Sequence, residues 1–372
     1  MINKKVLILS EAFGTGHTKA AEALAEGISL FAPSVYPQII ELGRELHPLT
    51  TSLMFRYYVK LITTYPSLWR KTYEFKQNQP ASQWFQYVIY QMLHRKIEDL
   101  LDQKKPNLVI CTHYFSSSSV SRLKRLGYPL NLCTVITDFH AHGVWVQPEV
   151  DLYLVSSDDV KQELIDMGIK RNRIMITGIP TRPKFWTKNS KQEVRCKLQL
   201  KDIPTVMIMG GGLGLGGIGR VAHSLTKWKE ELQVVICTGH NQTLKRSLSQ
   251  NRSFHHPHIH ILGFVDNIDE WMDASDLMIT KPGGLTCFEA LFKGIPMLLY
   301  QPIPGHEERN CDFLIKNNLA TRVDSEHDVE VWIQKLLFNP REIMLFQKRI
   351  TNFKQKIDPL ASYRSIMKLL IR

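Results

Sequence analysis

A chain of 372 residues is longer than one core usually holds, so two domains of roughly 150 to 200 residues are expected. Hydrophobic residues make up 44% and charged residues 22%, which excludes a disordered chain, and the lack of any run of about 18 apolar residues excludes a helical membrane span. The net charge of +12 calls for an anionic partner: nucleic acid, an acidic membrane surface or a phosphorylated substrate.

The six cysteines, Cys111, Cys133, Cys196, Cys237, Cys287 and Cys311, show no paired spacing and sit mostly in apolar runs, as buried thiols in a reducing compartment would. The apolar run Val6 to Leu9 is too short for a signal peptide and leads straight into a glycine motif. A cytoplasmic protein with peripheral membrane contact is therefore expected.

The first element is the strand VLILS, which runs into EAFGTGH and then into the helical pattern TKAAEALAEGISLF. Strand, glycine turn and helix place Gly14, Gly16 and His17 at the carboxyl end of a strand, the edge of an open α/β sheet where ligands sit. His17 there can act as a base or hold a phosphate oxygen, and the start of a helix disfavours its cationic form.

From Pro48 to Arg95 the sequence mixes Phe, Tyr and Trp with Arg and Lys and holds one acid, Glu74. Amphipathic helices of this composition suit the headgroup boundary of an anionic membrane. A helical hairpin on the domain's own core, or a stacking surface for single-stranded nucleic acid, fits the same composition. The segments PNLVICTH and PLNLCTVI follow as strands, leading to Thr137-Asp138-Phe139-His140-Ala141-His142, again at a carboxyl end. Asp138 and His142 form a plausible acid/base pair if they reach hydrogen-bond distance, with His113 at the preceding strand end a weaker candidate.

Arg173 to Thr177 is strand-like, and in the following GIPTRPKFW the closely spaced Pro180 and Pro183 should prevent regular structure. The polar stretch between Pro180 and Leu200 marks the boundary between halves. The second half restarts with TVMIMGGGLGLGGIG, in which Gly212, Gly214 and Gly217 satisfy the dinucleotide pattern G-x-G-x-x-G. A nicotinamide site also needs a carboxylate at the end of the next strand, and that strand ends in Thr238, Gly239, His240 and Asn241. The loop reads better as a phosphate cradle. His255, His256, His258 and His260 have no cysteine or carboxylate among them, so no metal site is expected there. No Asp-x-Asp triplet occurs to hold a metal on a diphosphate.

The stretch DLMITKPGGLTCFEALFKGIPMLLYQPIP reads as strand, tight turn, helix and strand. Gly283 and Gly284 let the backbone approach a ligand, and the unpaired first amides of a helix beginning near Leu285 attract a phosphate. Glu289, about one turn further in, can accept hydrogen bonds from both hydroxyls of a ribose. PIPGHEERN then supplies His306, Glu307 and Asn310, polar groups able to bind hydroxyls, before the chain ends in basic helical segments.

Together SEAFGTGH, TDFHAHGVW, GGGLGLGGI, GFV, KPGGLTCFEA and PIPGHEERN resemble the diacylglycerol glycosyltransferases, which include the bacterial processive glucosyltransferases and the plant monogalactosyldiacylglycerol synthases. The likeness spans nearly the whole chain in order and spacing. It implies an α/β GT-B fold: two Rossmann-like, doubly wound domains facing a central cleft. Residues 1–180 would take the acceptor, with a helix at about 356–372 packing back on them, and residues 181–355 would take a UDP-sugar. It further implies transfer of a hexose with inversion to a diacylglycerol-type lipid, without a metal or other cofactor, at an anionic membrane surface. Phe264 and Val265 would hold uracil through their backbone and Glu289 the ribose. Gly212, Gly214, Gly283, Gly284, Leu285 and Thr286 would line the diphosphate, and Glu307 and Asn310 would meet sugar hydroxyls. His17, Asp138 and His142 match the family's amino-terminal histidines and aspartate, with Gly14 and Gly16 beside them. His306 stands where many members have Gln, a position that bears on the choice of sugar. Transfer of N-acetylglucosamine to a polyprenyl-linked or other amphiphile, and a non-catalytic nucleotide-sugar or lipid-binding module, are the competing functions. No nucleic-acid motif accompanies the basic residues.

Overall fold

In a computed structural model of the protein, residues 4–75, 77 and 79–371 are described. They form two compact units. One runs up to Pro183 and adds Pro304–His306 and the segment from Asp358 onward; the other holds Lys184–Ile303 and Glu307–Ile357.

The first unit is built on six parallel strands: β1 (Lys4–Ser10), β2 (Val35–Glu41), β3 (Leu108–Cys111), β4 (Leu132–Val135), β5 (Leu152–Val155) and β6 (Ile174–Ile176), in the order β2-β1-β3-β4-β5-β6. The four residues of β3, β4 and β5 are buried throughout, as expected of a parallel sheet covered on both faces. Register pairs Ile8 of β1 with Ile110 of β3. The order reverses between β1 and β3, so the loops after these strands diverge and leave a crevice at their carboxyl ends. Helix Thr15–Phe31 leaves β1, and the Ala361–Ile371 helix returns to it: Tyr363 donates its hydroxyl to the Ala23 carbonyl at 3.2 Å. The expected strands are all present. The two prolines do not fully prevent order, since Pro183–Phe185 forms one 3-10 turn; proline's fixed φ and missing N–H are tolerated at a helical first position.

The stretch from Pro48 onward is helical, with helices Pro48–Thr64, Pro66–Glu74 and Gln83–Ile89 and a π-helical turn, Tyr90–His94. Part of it packs inward, where Ile89 and Leu93 meet Phe115, Phe13, Met54 and Phe85.

The second unit holds β7 (Thr205–Met209), β8 (Gln233–Cys237), β9 (Ile259–Leu262), β10 (Leu277–Thr280), β11 (Met297–Tyr300) and β12 (Thr321–Val323), in the order β12-β11-β10-β7-β8-β9. This is the dinucleotide-fold order, with its reversal between β7 and β10. Register sets Met209 beside Thr280, and the Thr280 hydroxyl donates to the Met209 carbonyl at 2.8 Å. Five cysteines are buried, as expected; Cys196 is exposed, because it lies on the outer face of the Lys191–Lys197 helix.

Candidate active site

The two points where strand order reverses carry the candidate residues. In the first unit, His17 sits in the first turn of the helix that follows β1. Gly14 is its N-cap at φ 105°, a conformation that favours glycine. A side chain at Gly16, by contrast, would meet open space. His17 Nδ1 lies 2.9 Å from the Thr112 carbonyl, just beyond β3, so the bond spans the reversal. A carbonyl only accepts, so Nδ1 carries the proton, and Thr137 Oγ1, also 2.9 Å away, shares it. The Nε2 lone pair therefore remains available. Burial holds the His17 pKa below its ordinary value, opposed by the neighbouring Asp138 carboxylate.

His142 is committed differently. Its Nε2 donates to the Tyr73 carbonyl at 2.8 Å, and its Nδ1 accepts the Val144 amide at 3.1 Å as the N-cap of a short turn. Both nitrogens are used, and burial again lowers the pKa. His113 is likewise a cap, accepting the Phe115 amide at 3.1 Å, and burial pushes its pKa well down. Asp138 stays half-buried beside His17. Of the three sequence candidates, only His17 combines a fixed tautomer with an unused basic nitrogen.

In the second unit, the Gly210–Gly217 loop follows β7. It is folded on itself by Gly214 N to Gly211 O, 3.1 Å, and Leu215 N to Gly210 O, 3.0 Å. It is tied to the loop after β8 by the His240 amide on Gly212 O, 2.9 Å, and by Asn241 Nδ2 on Gly214 O, 3.3 Å. Gly214 has φ 60°, and a Cβ there would stand 2.3 Å from the Thr238 carbonyl oxygen. Only glycine fits.

After β10, Gly283 is the N-cap of helix Gly284–Lys293, one residue earlier than the sequence suggests, and no side chain caps it. The first intrahelical bond is Cys287 N to Gly283 O, so the amides of Gly284, Leu285 and Thr286 have no acceptor within the helix. The helix is buried almost all round: of its ten residues only Thr286 and Glu289, three apart on one face, are not buried. A buried helix with two partly exposed residues on one face and no side-chain cap at its positive end has the chemistry that suits an anionic group.

Around that helix, Asn310 is fully buried and donates Nδ2 to the Pro282 carbonyl at 3.1 Å, and Glu307, 1% exposed, accepts the Ile303 amide at 2.8 Å. Phe264 is exposed and its ring stacks on His240, centroids 4.5 Å apart, with Val265 half-buried beside it. His306 groups with the first unit instead, its ring 6.3 Å from that of Tyr73.

Residues 17–181 match the family model of monogalactosyldiacylglycerol (MGDG) synthase, and residues 205–359 that of the glycosyltransferase family 28 C-terminal domain. The processive diacylglycerol beta-glucosyltransferase of Bacillus mycoides is 32% identical over 350 residues, covering 92% of this chain and 88% of its own. The chain belongs to the diacylglycerol glycosyltransferase family. It has the GT-B fold. Among solved structures, MurG of Acinetobacter baumannii superposes with TM-score 0.61 at 14% identity, covering 99% of this chain and 100% of that one. Anabaena HepE in complex with UDP and glucose gives TM-score 0.61 at 13% identity, covering 99% of each chain.

Three residues of this glycosyltransferase escaped the sequence reading. The Thr112 carbonyl fixes the His17 tautomer and the Thr137 hydroxyl lies against the same nitrogen, and their only signal was their place at strand ends. Lys281 pairs with Glu307 inside the second site, although it opens the motif KPGG and was visible there. Among the described residues no group of three or more His, Cys, Asp or Glu side chains is placed to share a metal.

Proposed function

We propose that the protein is an inverting hexosyltransferase that moves a sugar from a UDP-sugar to a diacylglycerol-type lipid at an anionic membrane surface. The observation that carries this reading is the Gly284–Lys293 helix, uncapped at its start and open to solvent only at Thr286 and Glu289. Its free amides suit the diphosphate and the Glu289 carboxylate suits the ribose diol. The name borne by the Bacillus mycoides relative and the ligand of the HepE structure point the same way.

In the reaction, a glycerol hydroxyl of the lipid transfers its proton to His17 Nε2 as its oxygen attacks the anomeric carbon. The bond from that carbon to the diphosphate oxygen breaks on the opposite face, and UDP leaves. The leaving charge falls on the helix amides and the Gly210–Gly217 loop. Asp138, beside His17, favours the imidazolium that forms.

The acceptor is insoluble, which gives the Pro48–Thr64 helix its role. Leu49, Leu53 and Tyr57, spaced four apart, are 86%, 68% and 67% exposed, and Arg56 and Lys60 flank them. An apolar stripe turned to solvent with cations beside it suits the headgroup layer.

Release of UDP from UDP-hexose, measured with and without diacylglycerol vesicles, tests the reading together with Glu289→Ala. UDP release should require the lipid. Loss of the two charge-assisted bonds should weaken UDP binding by roughly 10-fold to 100-fold in calorimetry, at about 1.5–3 kcal/mol each before compensation by water. Vesicle binding should stay unchanged. Unaltered UDP affinity would refute the assignment of Glu289.

A further inference from the structure

The Lys281 ammonium and the Glu307 carboxylate form an ion pair within the second unit, with side-chain exposures of 15% and 1%. Its position is unusual for a merely structural pair. Lys281 follows β10 at the reversal of strand order, and its stem lies across the glycine loop: a Cβ on Gly211 would stand 3.1 Å from Lys281 Cε, and one on Gly216 3.3 Å from Lys281 Cβ. On the other side, a Cβ on Gly283 would stand 4.0 Å from Glu307 Oε1. The pair thus occupies the space between the glycine loop and the uncapped helix start, the two elements assigned to the diphosphate.

Glu307 is also anchored from behind. Its Oε2 accepts the Ile303 amide at 2.8 Å while Oε1 takes Lys281. The carboxylate is held by backbone; the lysine is held only at the end of a flexible four-carbon stem, and an ammonium is a point charge able to change partners. A buried ion pair adds little stability over an apolar pair of the same size, so stability alone is a weak reason for it.

We propose that Lys281 is the cation that receives the diphosphate and that Glu307 holds it in reserve while the site is empty. This rests on the UDP-sugar reading. Donor binding exchanges one carboxylate for two phosphate groups at Lys281, and the same exchange releases Glu307 Oε1 to accept a sugar hydroxyl. Phosphate recognition and sugar recognition are coupled through one lysine. Because Glu307 competes with the ligand, it lowers affinity for any diphosphate that carries no sugar.

The sign of that effect makes the test. Calorimetry with UDP, uridine and inorganic pyrophosphate would compare wild type with Glu307→Gln, Lys281→Met and the double variant. Glu307→Gln should bind UDP and pyrophosphate 3-fold to 10-fold more tightly than wild type, with uridine unchanged, yet transfer sugar more slowly. Lys281→Met should lose at least 10-fold in UDP affinity and nothing in uridine affinity. Since Lys281→Met strands a buried carboxylate and can unfold, the double variant carries the decisive comparison. In the Lys281→Met background, Glu307→Gln should no longer raise UDP affinity. If wild type binds UDP and Glu307→Gln leaves that affinity unchanged or weakens it, the inference falls while the UDP-sugar reading stands. If wild type binds pyrophosphate but no uridine or UDP, the UDP reading falls while the competition is still measured with pyrophosphate. If neither binds, both fall.

Discussion

Replacing His17 and His142 separately by alanine distinguishes a base from a cap. His17 keeps Nε2 free because Thr112 fixes the proton on Nδ1, so its loss removes proton transfer. A positioned base contributes roughly 100-fold to 10,000-fold in rate. Its structural cost is the smaller one: a single Nδ1 proton shared by the Thr112 carbonyl and the Thr137 hydroxyl, which can turn to another partner, about 1–2 kcal/mol. His142 has no free nitrogen, and its loss strands the Tyr73 carbonyl and the Val144 amide. At about 1–2 kcal/mol for each stranded group, roughly 2–4 kcal/mol of stability goes. At about 2–4 °C per kcal/mol for a unit of this size, the melting temperature should fall by roughly 5–15 °C. The assay is kcat on diacylglycerol vesicles, read with thermal denaturation and UDP calorimetry. His17→Ala should lower kcat by two to four orders of magnitude with UDP affinity nearly unchanged and a smaller fall in melting temperature than His142→Ala. His142→Ala should melt early and lose less than about tenfold in kcat among folded molecules. A pattern in which His142→Ala abolishes turnover without destabilising, while His17→Ala turns over normally, would refute the assignment.

The pH dependence follows from the same burial. A depressed His17 pKa keeps the imidazole neutral, so kcat should be flat from pH 8 to about pH 6.5 and fall only as acid reaches the folded-state pKa below that. His113, also held neutral by burial, takes up its proton more readily unfolded, so stability should decline as pH drops below about 6.5, by at most about 1.4 kcal/mol per pH unit for that group; chemical denaturation at pH 5 and 7 measures it. Gly214→Ala combines a left-handed backbone with a Cβ 2.3 Å from a carbonyl oxygen, a cost of roughly 2–5 kcal/mol, and should weaken UDP binding even where the variant stays folded; wild-type UDP affinity in a variant of wild-type stability would exclude the tight-loop account. Leu49→Ser with Leu53→Ser removes two highly exposed apolar side chains and should lower sedimentation with anionic vesicles several-fold at unchanged melting temperature; equal sedimentation would remove the stripe from membrane binding.

Most of the central strands were legible because each is a short apolar run bounded by glycine, proline or polar turns, as LVIC and LMIT show, whereas VYPQIIE and TRV at the sheet edges are only partly buried and carry no such run. Strand order was not, since pairing is non-local: nothing in VLILS or LVIC states that they neighbour each other across a gap of about a hundred residues. That neighbourhood is what lets Thr112 fix the His17 tautomer. For the same reason His17 and His142 looked alike in sequence and differ in the fold, where only one has a spare nitrogen. The glycine motifs were readable as turns, but which glycine is sterically required is a property of its contacts: a Cβ is excluded at Gly214 and free at Gly16. The aromatic and basic stretch after Pro48 admitted a core and a surface reading. Its side chains divide between the two, since Ile89 and Leu93 turn inward while Leu49, Leu53 and Tyr57 turn out to solvent. Lys281 was overlooked because lysine before a glycine turn usually means solvation; its burial against Glu307 depends on a segment that follows a further strand.

Mass analysis of the lipids recovered after incubation with diacylglycerol vesicles and, separately, UDP-glucose, UDP-galactose and UDP-N-acetylglucosamine reads the central claim without an intermediary. Diacylglycerol carrying added hexose with one of the first two donors is the predicted product, absent from a parallel incubation with His17→Ala. Lipid unchanged by every donor, or extended only by N-acetylhexosamine, would contradict the account.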